Sequence, residues 1–110
     1  MANNKLVDEI KEILCDMNKP YRRYSTVWLS LNDDLTGREK YVLNVKAEHM
    51  IESCFDELDS IFDVLYEKMG VRFSHNISRI AVYNSNDQIH CYSGDIVVLE
   101  EDETCSTAAK

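Results

Sequence analysis

The chain has 110 residues, of which 45% are hydrophobic and 29% are charged, with only three glycines and one proline. This composition is typical of a globular domain and excludes a disordered, collagen-like or low-complexity chain. The formal net charge of −8 at pH 7 argues against direct binding to duplex DNA, because the phosphate backbone repels an acidic surface. We predict a single domain over residues 1–100 and a flexible acidic and polar tail over residues 101–110.

The N-terminal segment MANNKLVDEI lacks the basic region and apolar run of a secretory signal. No apolar stretch approaches the roughly 18 to 20 residues that span a bilayer. We therefore expect a cytoplasmic protein that does not associate with membranes. The cysteines form no C-x-x-C motif, so we expect reduced thiols and not disulfides or metal ligands. They are Cys15, Cys54, Cys91 and Cys105.

The first half of the chain predicts a helix followed by a β-hairpin. From Asn3 or Asn4 to Met17, apolar residues recur at helical spacing, and the segment Asn18-Lys19-Pro20 ends this pattern. Residues 25–32 and 41–46 then alternate between apolar and polar side chains on either side of a turn-rich segment. This alternation is typical of two paired strands.

The second half predicts another helix and further strands. The helix begins at Ala47 or Ser53 and ends at Met69, before Gly70. Residues 77–83, 89–92 and 96–99 have the pattern of strands, with turns between them. We therefore predict an α+β fold in the order α-β-β-α-β-β. In this fold an antiparallel sheet of four to five strands carries two helices on one face.

An acidic stripe is the most distinctive feature of the second predicted helix. Residues 48–67 contain seven acidic side chains and no Lys or Arg. Five of these acids recur every three or four residues and so share one side of the helix. They are Glu52, Asp56, Asp59, Asp63 and Glu67. A solvated helix face is one explanation of this pattern, and a binding surface is the other.

A concentrated negative field attracts cationic surfaces and accelerates association with them. We therefore predict a non-enzymatic, acidic interaction or inhibitor protein whose helix face binds a basic protein partner. The partner could itself bind nucleic acid, in which case the acidic stripe would act as a nucleic-acid mimic. The small size and the lack of a housekeeping signature are also typical of proteins from viruses and mobile elements.

Two cationic loops support an alternative function. Arg22, Arg23 and Tyr24 precede the first strand, and Arg72 precedes a later one. Guanidinium groups match phosphate oxygens, and aromatic rings stack on bases. These residues predict a binder of a nucleotide or another phosphate-bearing small molecule, although no glycine-rich phosphate loop accompanies them. A structural role at the strand entrances is the other interpretation.

The strand alternation also predicts an oligomer interface. If Val27, Leu29 and Leu31 face the helices, their neighbours face the opposite side of the sheet. An exposed aromatic patch there would favour a homodimer. Its residues are Trp28, Tyr24, Tyr83 and Tyr92. A register slip of one residue would instead place Trp28 in the core.

Enzymatic and metal signatures are absent from the sequence. His49, His75 and His90 lie in different predicted elements, no His or Cys pair has metal-ligand spacing, and no G-x-S-x-G motif occurs. We therefore expect no catalytic activity, no metal and no cofactor.

Overall fold

The structure, a computed structural model, describes residues 4–19, 22–33 and 39–100. Within them, three helices and four strands follow one another along the chain. They are α1 (Asn4–Met17), β1 (Tyr24–Asp33), β2 (Glu39–Ala47), α2 (Cys54–Met69), α3 (Val71–Asn76), β3 (Ile77–Tyr83) and β4 (Ile96–Leu99). The α+β class is confirmed, as are the first helix and the first two strands. The predicted tail, residues 101–110, lies outside the described residues.

The four strands form one mixed sheet in the order β3-β2-β1-β4. Strand β1 pairs antiparallel with both β2 and β4, whereas β2 and β3 run parallel. The prediction of a purely antiparallel sheet is therefore wrong for the β2–β3 pair. Helix α2 lies between these two strands in sequence, and a helical crossover returns the chain so that the next strand runs in the same direction.

Helices α1 and α2 pack on one face of the sheet and form the main core with it. The apolar residues of each helix recur at helical spacing, so each helix buries one side against the alternating apolar residues of the strands. The buried helical residues of this core include Leu6, Ile10, Ile13, Leu14, Ile61, Leu65 and Met69. Their strand partners include Val27, Leu29, Leu43, Val45, Ile80, Val98 and Leu99. This packing leaves the outer side of α2 free.

The connection between β3 and β4 differs from the prediction. Residues 89–92 are not a strand, and β3 and β4 occupy opposite edges of the sheet instead of forming a hairpin. Residues 84–95 must therefore pass from one edge to the other. Helices α1 and α2 pack on one face of the sheet, and the second face lies opposite them. A pattern of alternation in a short segment does not distinguish a strand from such a connection.

Trp28 lies on this second face, but it is buried. Its side chain is only 2% exposed. Its ring stacks on that of Tyr83, with centroids 6.1 Å apart and planes 8° from parallel. The amide of Asn44 lies beside this pair and accepts a hydrogen bond from the Tyr83 hydroxyl. The predicted face of Trp28 is thus correct, whereas the prediction that it forms an exposed patch is wrong, because the residue is buried beside Tyr83 and Asn44.

Tyr24 lies on the helix face, contrary to the prediction. The pairing of β1 with β2 shifts between Tyr24 and Thr26. Such an irregularity breaks the alternation of side chains at the start of the strand. Tyr24 is consequently only 1% exposed and belongs to the main core.

The prediction that all four cysteines are reduced thiols is wrong for Cys15. It is disulfide-bonded, and its partner lies outside the described residues, whereas Cys54 and Cys91 are free. Disulfides persist mainly in oxidising compartments, so this bond argues against a cytoplasmic location, which stays a prediction. None of the helices in the described ranges has both the length and the apolar character needed to cross a membrane.

The disulfide predicts the number of alkylated cysteines. Alkylation under denaturing but non-reducing conditions should give two adducts in the intact mass, and prior reduction should raise this number to four. The variant Cys15→Ser should give three adducts without reduction, because it releases the bonded partner. Four adducts on the unreduced wild-type protein would show that Cys15 is a free thiol.

Candidate functional site

Helix α2 begins and ends at well-formed caps. The Ser53 hydroxyl accepts a hydrogen bond from the Asp56 backbone N–H at 3.1 Å, so Ser53 is the N-cap. Gly70 ends the helix with φ at 65°, in the left-handed region that favours glycine, and its N–H donates to the Tyr66 carbonyl at 2.8 Å. Glu52 therefore lies before the helix and not on it, although it was predicted as part of the stripe.

The outer side of α2 carries a row of exposed aromatic rings, which we call the aromatic row: Phe55, Phe62 and Tyr66. These side chains are 69%, 41% and 43% exposed, respectively. Phe62 and Tyr66 stack at a centroid distance of 5.7 Å, and Phe62 also contacts the buried Phe73 edge-on at 5.7 Å. Phe62 and Tyr66 are thus held by ring contacts, and all three rings of the row are open to solvent.

Four carboxylates lie directly beside the aromatic row and form what we call the acidic row. At roughly 100° per residue, they occupy the arc of the helix next to the three rings. They are Asp56, Asp59, Asp63 and Glu67, and all four are exposed. None of the four forms an ion pair with another residue of the described part of the chain. Asp56 lies in the first turn, where it complements the helix dipole, but the other three do not.

The sequence did not indicate the aromatic row. Phe55 and Phe62 fall near the edge of the apolar arc of α2, so their spacing alone is that of buried residues. The orientation of α2 on the sheet decides which of its apolar residues are buried. Ile61, Leu65 and Met69 enter the core, whereas the edge of the apolar arc is left uncovered. A helix with an apolar arc wider than its contact with the sheet must expose part of that arc.

The cations predicted to bind an anion make structural contacts instead. The Arg22 guanidinium donates to the backbone carbonyls of Tyr24, Ser25 and Glu100 at 3.1, 2.9 and 2.8 Å. Arg23 lies 3.8 Å from the Glu57 carboxylate. Arg22 therefore ties the start of β1 to the end of β4.

The side chain of Asn18 also binds the backbone at the start of β1. Its side-chain oxygen accepts hydrogen bonds from the backbone N–H groups of Arg23 and Tyr24 at 2.8 and 2.9 Å. Its amide donates to the Tyr24 carbonyl at 3.2 Å. A buried amide that satisfies three backbone groups anchors the chain between α1 and β1.

Arg72 lies in a different part of the molecule. It donates to both carboxylate oxygens of Glu9 on α1, at 2.5 and 2.6 Å. This hydrogen-bonded pairing lowers the pKa of Glu9 and raises that of Arg72. Arg72 borders one shallow depression, whereas Arg22 and Arg23 border another. The structure therefore does not bring the predicted anion-binding cations together.

The remaining predicted residues do not form one surface. Tyr92 is 59% exposed and contacts the His90 ring at a centroid distance of 4.7 Å, in the residue 84–95 connection. Burial, with a smaller contribution from Asp95, raises the pKa of the free Cys91 thiol. No group of three or more His, Cys, Asp or Glu side chains in the described ranges is placed to hold a metal ion.

The Tyr24 hydroxyl donates a hydrogen bond of 2.6 Å to the Glu57 carboxylate. Burial, followed by this hydrogen bond, raises the pKa of Tyr24 far above that of a free tyrosine. The unfolded chain loses the proton near pH 10, whereas the folded protein keeps it. The protonated Tyr24 hydroxyl therefore stabilises the folded state fully below pH 10. This contribution is lost as the pH rises further, through the raised pKa of Tyr24.

Tyr24→Phe should lower the free energy of unfolding at pH 7 by about 1 to 3 kcal/mol, since it leaves the half-buried Glu57 carboxylate without its hydroxyl donor. The variant should also lose less stability above pH 10 than the wild-type protein, by up to about 1.4 kcal/mol per pH unit. Urea unfolding at pH 7, 10 and 11 measures both effects. Tyr92→Phe removes a hydroxyl at an exposed position and is the control. Equal alkaline slopes for Tyr24→Phe and wild type would contradict the assignment.

Comparison with known proteins adds no functional information. No family model matches the sequence, and searches of curated proteins and of solved structures return no significant match.

Proposed function

We propose that this protein is a non-enzymatic interaction or inhibitor protein that binds a basic protein partner through the outer side of α2. The observation that carries the proposal is the adjacency of the aromatic row and the acidic row on one exposed helix side. Aromatic side chains dominate the energetics of protein interfaces, and an exposed cluster of them is uncommon on a surface without a partner. The neighbouring carboxylates determine the charge of that partner.

The two rows have different physical roles in this proposal. Burial of an aromatic side chain contributes roughly 1.5 to 3 kcal/mol, so the aromatic row supplies most of the affinity. The unpaired carboxylates act at longer range, because they attract a cationic surface during encounter and reject an acidic one. A protein that binds nucleic acid has such a cationic surface, and the acidic row would then occupy the place of phosphate groups.

The double variant Asp59→Lys with Asp63→Lys should impair partner binding without affecting folding. Both residues lie beyond the first turn of α2, so their reversal leaves the N-terminal capping intact. We expect affinity capture from the source cells, at about 50 mM salt, to retain several-fold less of the basic protein partner. The association rate measured with that partner should fall similarly, whereas the melting temperature should change little.

A matched control reverses two exposed acids on α1, with Asp8→Lys and Glu12→Lys. It makes the same change in net charge on a different surface, and it should bind like the wild-type protein. Phe55→Ser tests the aromatic row and should increase the dissociation rate, whereas Tyr92→Ser at another exposed site should not. Equal losses for the α1 and α2 variants would show that only net charge matters and would defeat the proposal.

The alternative function, binding of a nucleotide through Arg22, Arg23, Tyr24 and Arg72, has less support. All three arginines contact carboxylates or backbone carbonyls, and Tyr24 is buried. Native mass spectrometry of the protein from its source separates the two functions, since a nucleotide and a basic protein differ greatly in mass.

The predicted homodimer stays a prediction, but its original basis is weaker. Trp28 and Tyr24 lie inside the monomer, so the second sheet face no longer needs a partner subunit to cover them. Sedimentation velocity at tens of micromolar measures the oligomeric state directly. A dimer that Trp28→Glu dissociates with native circular dichroism would support the original interface. Unfolding of that variant is the result we expect from the burial of Trp28.

A further inference from the structure

A cavity lies where α2, α3 and the first half of β3 meet. Its volume is about 500 Å³, within the range of roughly 300 to 1,000 Å³ that is typical of small-molecule sites. Its walls are mainly apolar, and they are built by Leu58, Phe62, Phe73, Ile77 and Ile80. Three of these side chains belong to the buried core, whereas Phe62 is partly exposed. The cavity is therefore an apolar pocket with a rigid floor and an open side.

Two cations, Lys40 and Arg79, border the cavity, and no carboxylate of the described residues does. This local charge is opposite to the net charge of −8. Arg79 alternates with Ile80, which faces the helices, so it leaves β3 on the opposite side and borders the cavity from the outer edge of the sheet. The Lys40 ammonium donates to the Ser74 carbonyl at 3.0 Å. The Arg79 guanidinium, in contrast, has no hydrogen bond or ion pair with any residue of the described ranges. Arg79 thus differs from Arg22, Arg23 and Arg72, whose guanidinium groups all have partners.

We propose that this cavity binds an amphipathic organic monoanion, with its apolar body against the walls and its carboxylate on Arg79. A guanidinium group presents a planar fork of donors that matches the two oxygens of a carboxylate. The apolar walls favour a ligand body without further charges. A nucleotide fits this cavity poorly, because its several negative charges and polar sugar would contact apolar walls.

The acidic character of the whole protein does not oppose this proposal at short range. The repulsive field of distant carboxylates is screened over about 8 Å at physiological salt. It slows the approach of an anion, whereas the contact between Arg79 and the ligand is local. The acidic row occupies the other side of the α2 aromatic rings and does not line the cavity. The proposed site shares Phe62 with the partner surface, but it does not rest on the proposed partner function.

Three ten-carbon probes test the head group while keeping the apolar body constant: decanoate, decan-1-ol and decylammonium. Calorimetric titration, with two-dimensional NMR to locate the site, should show decanoate binding about tenfold more tightly than decan-1-ol. A charge-assisted hydrogen bond of the usual strength gives this ratio. Decylammonium should bind more weakly than the alcohol, because two cations border the cavity.

Variants at Arg79 and Ser74, which both border the cavity, test where the probes bind. Arg79→Met retains an unbranched apolar side chain and removes the charge, so it should reduce the affinity for decanoate to that for decan-1-ol. Arg79→Lys should keep a preference for the anion. Ser74→Trp places a large ring at the open side of the cavity and should abolish binding of both ligands. Arg72→Met removes an arginine outside the cavity and is the matched control.

The proposal is overturned by equal binding of decanoate and decylammonium, by an Arg79→Met variant that keeps the preference for the anion, or by chemical-shift changes away from the cavity. It is also overturned if decanoate does not bind at millimolar concentrations. Circular dichroism of each variant confirms that it is folded. If Arg79→Met proves unfolded, the Ser74→Trp and probe comparisons still decide the outcome.

Discussion

The burial of one side of α2 against the sheet is the constraint on which the rest of the structure depends. Ile61, Leu65 and Met69 must reach the core while the chain passes from β2 to β3. This requirement places β3 beside β2 in parallel and moves β4 to the opposite edge. It also turns Phe55 and Phe62 outward, so the fold itself creates the surface that we propose for partner binding.

The start of β1 shows why charged residues at strand entrances need not bind ligands. Tyr24 enters the core because the strand pairing is irregular there, and its hydroxyl then needs a polar partner, which Glu57 supplies. The backbone around it is satisfied by Asn18 and Arg22. A buried hydrogen-bond network must be complete to be stable. Two of the cations that were predicted to bind an anion, Arg22 and Arg23, are therefore part of this network.

The two surfaces of interest have opposite local charge although they are close in the fold. The acidic row lies on one side of the exposed aromatic rings, and the cavity with Arg79 and Lys40 lies on the other. Phe62 contributes to both. A net charge of −8 describes only the average of such a surface. The distribution of ion pairs decides which charges are available for binding, since Arg72 pairs with Glu9 and Arg79 pairs with no residue of the described ranges.

Local pattern in the sequence was sufficient for the elements that depend on local physics. The helical spacing of α1, the glycine that ends α2 and the alternation of β1 and β2 all predicted the correct elements. The acidic side of α2 was visible from its spacing, whereas the start of this helix was left open between Ala47 and Ser53. Strand order and direction were not predictable, because alternation reports which side of a strand is buried and not which strand lies next to it. The same limit applied to Trp28, whose face was predicted correctly but whose burial involves Tyr83 on a strand distant in sequence. Only the tertiary structure decided that Arg72 is paired while Arg79 has no partner among the described residues, because a charge is paired by whichever element the fold places beside it.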